Sequence, residues 1–347
     1  GNWIGLNAAG DADLGNDHDG VTLFDNCRNN RVGGLEFAEG NIISGNGNNG
    51  IQIAGALATD NLILQNRIGL DGLGGTAVPN NADGVLIDGA PHNFVGQVFL
   101  TPTGIVDAGN VIAGNASNGV RIIGATATTN EVLTNLIGVI PNGGDGVLID
   151  GAPANIIGQV FVTPDGDEVV AGNSISLNTG NGVQIVGAAA ANNEITSNSL
   201  SGNILNGLYL NAAPNTPVMD NNIALNKLSG VRIEGAAATG NQFGGNTILS
   251  NKLHGVIIVN APGNFIGVAG SGNGIRSNEA AGVWIEGDGA VRNRIQFNSI
   301  SLNNQLGIDL LPAGVTPNDA GDPDAGPNNR QNFPVITSVF TTTPLNP

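Results

Sequence analysis

Apolar residues in this chain come in short runs of period two. In the stretch GNVIAGNASNGVRIIG, Gly109 to Gly124, Val120 and Ile122 alternate with Arg121 and Ile123 between glycines and asparagines. That alternation predicts a strand with one face buried, with Val120 and Ile122 inward and Arg121 and Ile123 outward. The flanking Gly and Asn predict turns. A single strand of this kind buries too little to fold alone, so the chain must gain its core by repeating it.

The repetition is explicit. The pattern N-x-[IL]-x-x-N-x-x-x-G-[VIL]-x-[IL] starts at Asn41, Asn110, Asn173, Asn198, Asn221, Asn246, Asn273 and Asn298. Its second asparagine falls five residues on, at Asn46, Asn115, Asn178, Asn203, Asn226, Asn251, Asn278 and Asn303. Three further G-V-x-[IL] segments follow Gly20, Gly84 and Gly146, which makes eleven. From Gly182 onward the Gly-to-Gly steps are 25, 23, 25, 27 and 25 residues, and earlier steps run from 27 to 36. A unit of 23 to 25 residues made of strands and turns, with loops in the longer steps, predicts a solenoid of stacked coils. Leucine-rich repeats share the length but need a Leu-rich consensus and helices, and neither is present. Stacking at about 4.8 Å places equivalent positions in register, so Asn lies on Asn. Each amide then donates to one coil and accepts from the other, the asparagines are expected to take the left-handed turn conformation, and Gly fills corners that admit no Cβ.

A second-order repeat lies over the first. DGVLIDGAPHNFVGQVFLTP at Asp83 recurs as DGVLIDGAPANIIGQVFVTP at Asp145, 62 residues on, with a weaker copy at Asp19. Within these units VFLTPTGIV and VFVTPDGDEVV each predict a hairpin, both projecting from the same side.

Composition narrows the partners. The 347 residues include 55 glycines, 40% hydrophobic and only 11% charged residues, so the chain is apolar enough to fold but built for turns. A net charge of −17 repels phosphate backbones and anionic membranes, which excludes nucleic acid as a partner. No run of 18 apolar residues exists, so membrane insertion is not expected. The single cysteine, Cys27, reads as a small buried hydrophobe and allows no internal disulfide framework. The chain starts inside a repeat motif and reads as a piece of a longer precursor.

The repeats, from Gly1 to about Leu311, resemble the right-handed parallel β-helix proteins of the pectin-lyase-like superfamily. The tail GIDLLPAGVTPNDAGDPDAGPNNRQNFPVITSV is similar to the closing segment of such regions in large secreted or surface-attached bacterial proteins. The resemblance implies an all-β fold: a single right-handed parallel β-helix of about 11 or more coils over residues 1–311. Residues 312–347 would form an acidic, Pro/Gly-rich segment that caps the helix or leads to a following module. It also implies an extracellular or cell-surface location, and a superfamily of lyases, hydrolases, epimerases, adhesins and passive shafts among which fold does not choose.

Catalytic patterns of that superfamily are not matched. The polygalacturonase N-T-D, D-D, G-H-G and R-I-K find only Asn178-Thr179-Gly180, His254-Gly255 and Arg232-Ile233-Glu234. The R-x-P-x-x-R of pectate lyases and the D-P-H-E of mannuronate epimerases are absent. Lys227 and Lys252 are the only lysines, and His18, His92 and His254 the only histidines, so bases are scarce.

Two places retain candidate chemistry. DADLGNDHDG, Asp11 to Gly20, and NDAGDPDAGPNN, Asn318 to Asn329, set oxygen ligands among glycines in a way that suits Ca²⁺. Asp319, Asp322, Asp324 and Asn328 are the expected calcium ligands. The outward face of the C-terminal strands is the other place. Its first column reads Gln184, Tyr209, Arg232, Ile257, Trp284 and Asp309, and its second Val186, Asn211, Glu234, Val259, Glu286 and Leu311. Tyr209 is the only tyrosine and Trp284 one of two tryptophans, so Tyr209, Arg232, Glu234, Trp284 and Glu286 form a candidate glycan-binding set. Glu234 and Glu286 lie two coils apart, about 10 Å, near the upper limit for an inverting carboxylate pair. The expected function is a secreted or cell-surface solenoid with a structural or adhesive role, contacting glycans or other copies and modules of the same surface protein. The alternative is a polysaccharide-acting lyase or inverting hydrolase.

Overall fold

The computed structural model describes residues 1–101, 104–335 and 337–338. Each coil contributes one short strand to each of three parallel sheets. The first sheet runs through eleven strands from Trp3–Ile4 to Ser299–Ser301, the second through eleven from Val21–Phe24 to Ile308–Leu310, and the third through ten from Arg31–Gly33 to Arg294–Ile295. Registers are uniform: Val120 pairs with Val85 on one side and Val147 on the other, and Ile122 with Ile87 and Ile149. The alternation read from the sequence is the one observed, with Val120 and Ile122 buried and Arg121 and Ile123 half-exposed. The all-β solenoid expectation therefore holds.

The core is thin and columnar. Val and Ile from the three sheets stack on their equivalents in adjacent coils, and an alanine column, including Ala127, Ala152, Ala190 and Ala213, fills the corner between the second and third sheets. Phe243 is the one large ring among the fully buried side chains of the described residues. Glycine opens each second-sheet strand, and in all but the last coil the core comes too close for a Cβ. A Cβ on Gly207 would lie 2.4 Å from Ile223 Cγ2 and 2.8 Å from the Gly230 carbonyl oxygen.

Three asparagine ladders hold the three corners. The first runs from Asn2 through Asn41, Asn66 and Asn110 to Asn298 between the third and first sheets. The second runs from Asn16 through Asn46, Asn80, Asn115 and Asn142 to Asn303 between the first and second. At most rungs both the backbone N–H and the Nδ2 of one Asn donate to the Oδ1 of the next coil's Asn, as from Asn203 to Asn226 at 3.1 and 3.0 Å. Asn80 and Asn142 belong to looped coils and break the fixed offset seen in the sequence. The third ladder, Asn30 to Asn293 between the second and third sheets, was not part of that pattern. One expectation is corrected: the ladder asparagines of the coils are not left-handed. The residue before many of them is, as at Gln65, Asn192 and Leu225, because the chain turns just before the amide enters the stack.

A fourth column precedes the glycine: Asp19, Asn49, Asp83, Asn118, Asp145, Asn181, Asn206 and Ser229. It runs with opposite polarity, each backbone N–H donating to the side-chain oxygen of the preceding coil. Its carboxylates alternate with amides, so no two charges share a rung. Burial raises the Asp145 pKa above the ordinary aspartate range, opposed by the two hydrogen bonds from Asn181.

Both expected hairpins form. Val98–Thr101 pairs antiparallel with Gly104–Asp107, and Val160–Val162 with Glu168–Val170, each leaving the same corner two coils apart. Pro102 and Thr103 of the first turn lie outside the described residues. After Leu311 the chain folds back, and Asn328 accepts the Asn293 N–H at 2.9 Å, ending the third ladder. Of the expected 312–347 segment, Ile336 and everything from Val339 on lie outside the described residues.

Asn203→Ala removes the acceptor of Asn178 and a donor to Asn226 from a fully buried rung, and is expected to cost about 1 to 3 kcal/mol, read as a lowered denaturation midpoint. Thr216 stands where the third ladder requires Asn, and its Oγ1 is buried without a partner. Thr216→Asn restores the rung and should raise the thermal midpoint by the equivalent of about 1 kcal/mol. The raised native pKa of Asp145 means that the folded state holds this proton to higher pH than the unfolded chain does. Its contribution to stability accordingly falls as pH rises from the ordinary aspartate range through the native value. Asp145→Asn keeps the acceptor for Asn181, and should flatten that part of the urea-midpoint profile and stabilise the neutral-pH protein.

Candidate functional site

The outward face of the second sheet is built by strands Leu208–Asn211, Val231–Glu234, Val256–Val259 and Val283–Glu286. Register places Tyr209, Arg232, Ile257, Trp284 and Asp309 in one column and Asn211, Glu234, Val259 and Glu286 in the next. Period two puts residues i and i+2 on the same face, and the chain uses this twice. Arg232 Nε donates to Glu234 Oε2 at 2.8 Å, and two coils on Trp284 Nε1 donates to Glu286 Oε2 at 2.8 Å. The Tyr209 hydroxyl adds a second donor to Glu234 Oε2 at 2.7 Å, and the Arg232 guanidinium lies over the Tyr209 ring, 5.7 Å from its centroid.

The five residues therefore form two clusters rather than one. Between them Ile257 and Val259 are only 8% and 9% exposed, so the step between the carboxylates is a closed apolar floor. The Arg232 hydrogen bond, helped by Tyr209, holds Glu234 below the usual carboxylate range despite partial burial. A glutamate with a lowered pKa is a poor general acid at neutral pH. Burial and the Glu234 hydrogen bond push the Tyr209 phenol up, so it stays a donor.

His254 joins the second cluster, and sequence reasoning had noted it only as a failed motif. Its ring stacks on Trp284 with centroids 4.9 Å apart and planes at 30°. Its Nδ1 accepts the Ala281 N–H at 3.3 Å, continuing the fourth column. Burial lowers its pKa, while Glu286 and the buried Asp309 act the other way. The signal was its place directly before Gly255, where the eight preceding coils carry Asp, Asn or Ser.

Of the tail residues expected to ligate calcium, Asp319, Asp322 and Asn328 enter hydrogen bonds with neighbouring loops. Asn328 spends its oxygen on Asn293, and Asp322 Oδ1 accepts the Asn332 N–H at 3.1 Å. Asp319 enters through its backbone, donating to Asn332 Oδ1 and accepting from Asn332 Nδ2. Near the N-terminus, Asp11 Oδ1 accepts from Asn7 and Asp13 Oδ1 from the Gly15 N–H. Among the described residues no three His, Cys, Asp or Glu side chains are grouped to hold a metal ion. The oxygens of Asp322 and Asn328 thus serve backbone N–H groups.

With corner ladders, three parallel sheets and this face in view, the chain belongs to the right-handed β-helix family: a family model described as "Right handed beta helix region" matches residues 96–300, more than half of it. Solved structures are similar to the chain at low identity. A point mutant of the periplasmic alginate epimerase AlgG is 14% identical over 76% of this chain and 62% of its own, with a TM-score of 0.43. The Dettilon tailspike protein is 16% identical over 85% of this chain and 60% of its own, with a TM-score of 0.44. The A-module of Azotobacter vinelandii mannuronan C-5 epimerase AlgE4 is 14% identical over 92% and 91%, with a TM-score of 0.38. The chain thus spans less than two thirds of the length of that AlgG structure. A search of curated protein sequences finds no match. Among the described residues no helix is long and apolar enough to cross a membrane.

Proposed function

We propose that this protein is an extracellular or cell-surface β-solenoid with a structural or adhesive role, and that the outward face of its second sheet binds glycans without turning them over. The observation that carries this reading is the pair of fixed aromatic–carboxylate clusters, Tyr209–Arg232–Glu234 and His254–Trp284–Glu286, on one exposed face. Each ring is held by a neighbour, Tyr209 under Arg232 and Trp284 against His254, so little side-chain entropy is left to lose on binding. Rings with a polar group at the rim suit the alternating apolar faces and hydroxyl edges of a sugar chain lying across the coils. The same hydrogen bonds argue against catalysis. Glu234 is committed to two donors and its pKa is lowered, and the apolar step of Ile257 and Val259 leaves no polar position between the carboxylates.

On a panel of pectate, alginate and neutral glucans, the parent protein should bind at least one member without shortening it. Trp284→Ala and Glu234→Gln should each weaken that binding about tenfold, equivalent to about 1.4 kcal/mol. Equal affinity of both variants and the parent for every bound glycan would remove the site. Depolymerisation that disappears in Glu234→Gln would instead make the protein a hydrolase or lyase.

A further inference from the structure

A second surface lies at the corner between the first and second sheets, along the second asparagine ladder. An open trough of about 640 Å³ crosses six coils there, from Pro141 to Glu279, a length of about 24 Å at the coil spacing. Its first half is apolar, made by Pro141, Leu177, Ile204 and Leu225. Its second half carries Lys227, Ser250, Lys252 and Ser277.

The leucines are the telling feature. Leu177 and Leu225 occupy the left-handed corner position, with φ of 63° and 60°, and are 47% and 56% exposed; Leu302 continues the column beyond the trough, with φ of 58° and 79% exposure. A left-handed Leu costs roughly 1 to 2 kcal/mol, and an exposed one recovers little by burial. The corner itself is satisfied by glycine, as Gly45, Gly114 and Gly202 show in the same column. Left-handed positions before the other two ladders carry mainly polar residues, among them Asn29, Asp60, Ser197 and Asp220, with Phe297 the large apolar exception. Neither backbone preference nor core packing accounts for leucine here, and an outlier of this kind points to a contact.

The trough also limits what can lie in it. Along the apolar half the backbone donors are used between coils: Leu177 N–H to Ser201 O, Gly202 to Ala224, Leu225 to Leu249 and Ile204 to Asn178. The floor amides are consumed in the Asn178–Asn203–Asn226 ladder. A sugar or peptide would leave its own polar groups unpaired there, whereas an alkyl chain has none to pair. At the other end stand the only two lysines of a chain with net charge −17. Lys252 pairs with Glu279, and Lys227 has no ion-pair partner among the described residues. A local positive site on an acidic surface selects an anionic group.

We propose that this trough binds an amphipathic anion, with an unbranched alkyl chain on Leu177, Ile204 and Leu225 and an anionic head at Lys227, Lys252 and Ser250. The test is calorimetric titration of laurate, below its self-assembly concentration, into the full chain, with acetate as the tail-less control. Laurate should bind saturably and acetate should not. The double variant Leu177→Gly with Leu225→Gly should bind about tenfold more weakly while its thermal midpoint holds or rises, because glycine suits both corners. Lys227→Gln should weaken binding similarly and reduce its salt dependence. Vesicles containing phosphatidylglycerol form a second arm, and capture sensitive to the same variants would make a lipid headgroup the source of the anion. Failure of the parent to bind either probe, or binding unchanged in the leucine pair or in Lys227→Gln, would overturn the proposal.

Discussion

The structure depends on a carboxamide bridging two stacked backbones. At each corner the chain reverses direction and its peptide groups can no longer all pair with the strand beside them. An Asn side chain supplies one oxygen that accepts two N–H groups from the coil before it, and one NH₂ that donates to the coil after it and to backbone carbonyls, as Asn110 does to Asn135 and to Ile63 O. No other side chain of that length offers both, and Asp offers only the acceptor. The corner ladders therefore use Asn almost without exception. The fourth column, whose residues receive donors from the following coil, alternates Asp with Asn over its first six members.

This device explains why so glycine-rich a chain is ordered. A coil contributes only a handful of inward Val, Ile, Leu and Ala side chains to the core, and no coil could be stable alone. Ladders and columns couple each coil to its neighbours through the same atoms every time, so stability is distributed along the axis. They also fix the position of every outward residue. Tyr209 and Glu234 meet because Asn203 and Asn226 hold their coils in register, and Arg232 reaches the same carboxylate by the two-residue repeat of the strand.

The sequence disclosed what is periodic and hid what interrupts the period. Strand direction at Val120 and Ile122, the two hairpins and the ladder through Asn203 were all legible, because strand alternation and a five-residue offset survive in the compact coils. The third ladder was not, since Asn93, Asn130 and Asn155 sit at variable distances from the glycine marker. Left-handed geometry was assigned to the asparagines, and the structure puts it one residue earlier, a distinction that residue type alone does not make. On the outward face the columns were read correctly, but not the split into two clusters. That split depends on how deeply Ile257 and Val259 sink between their neighbours. In the tail, the ladder role of Asn328 was not legible, because the fold-back after Leu311 and not the repeat brings it to Asn293.

In a molecule where every position is copied many times, a departure from its column is informative in proportion to what it costs. Trp284 departs from a half-exposed column that tolerates Gln, Tyr and Arg, so its cost is small and its chemistry has to supply the argument. Arg121 departs further: it lies between Leu86 and Leu148, with Asp88 and Asp150 in the adjoining column, and its Nε is buried without a partner. Leu177, Leu225 and Leu302 depart furthest, with Phe297 at the third-to-first-sheet corner, since they accept backbone strain and exposed apolar surface where glycine would remove both. A ladder that forces equivalence on the coils thereby turns local expense into a marker of selected contact. By that measure the first-to-second-sheet corner, with three such leucines against one phenylalanine elsewhere, is the side of the solenoid most marked for contact.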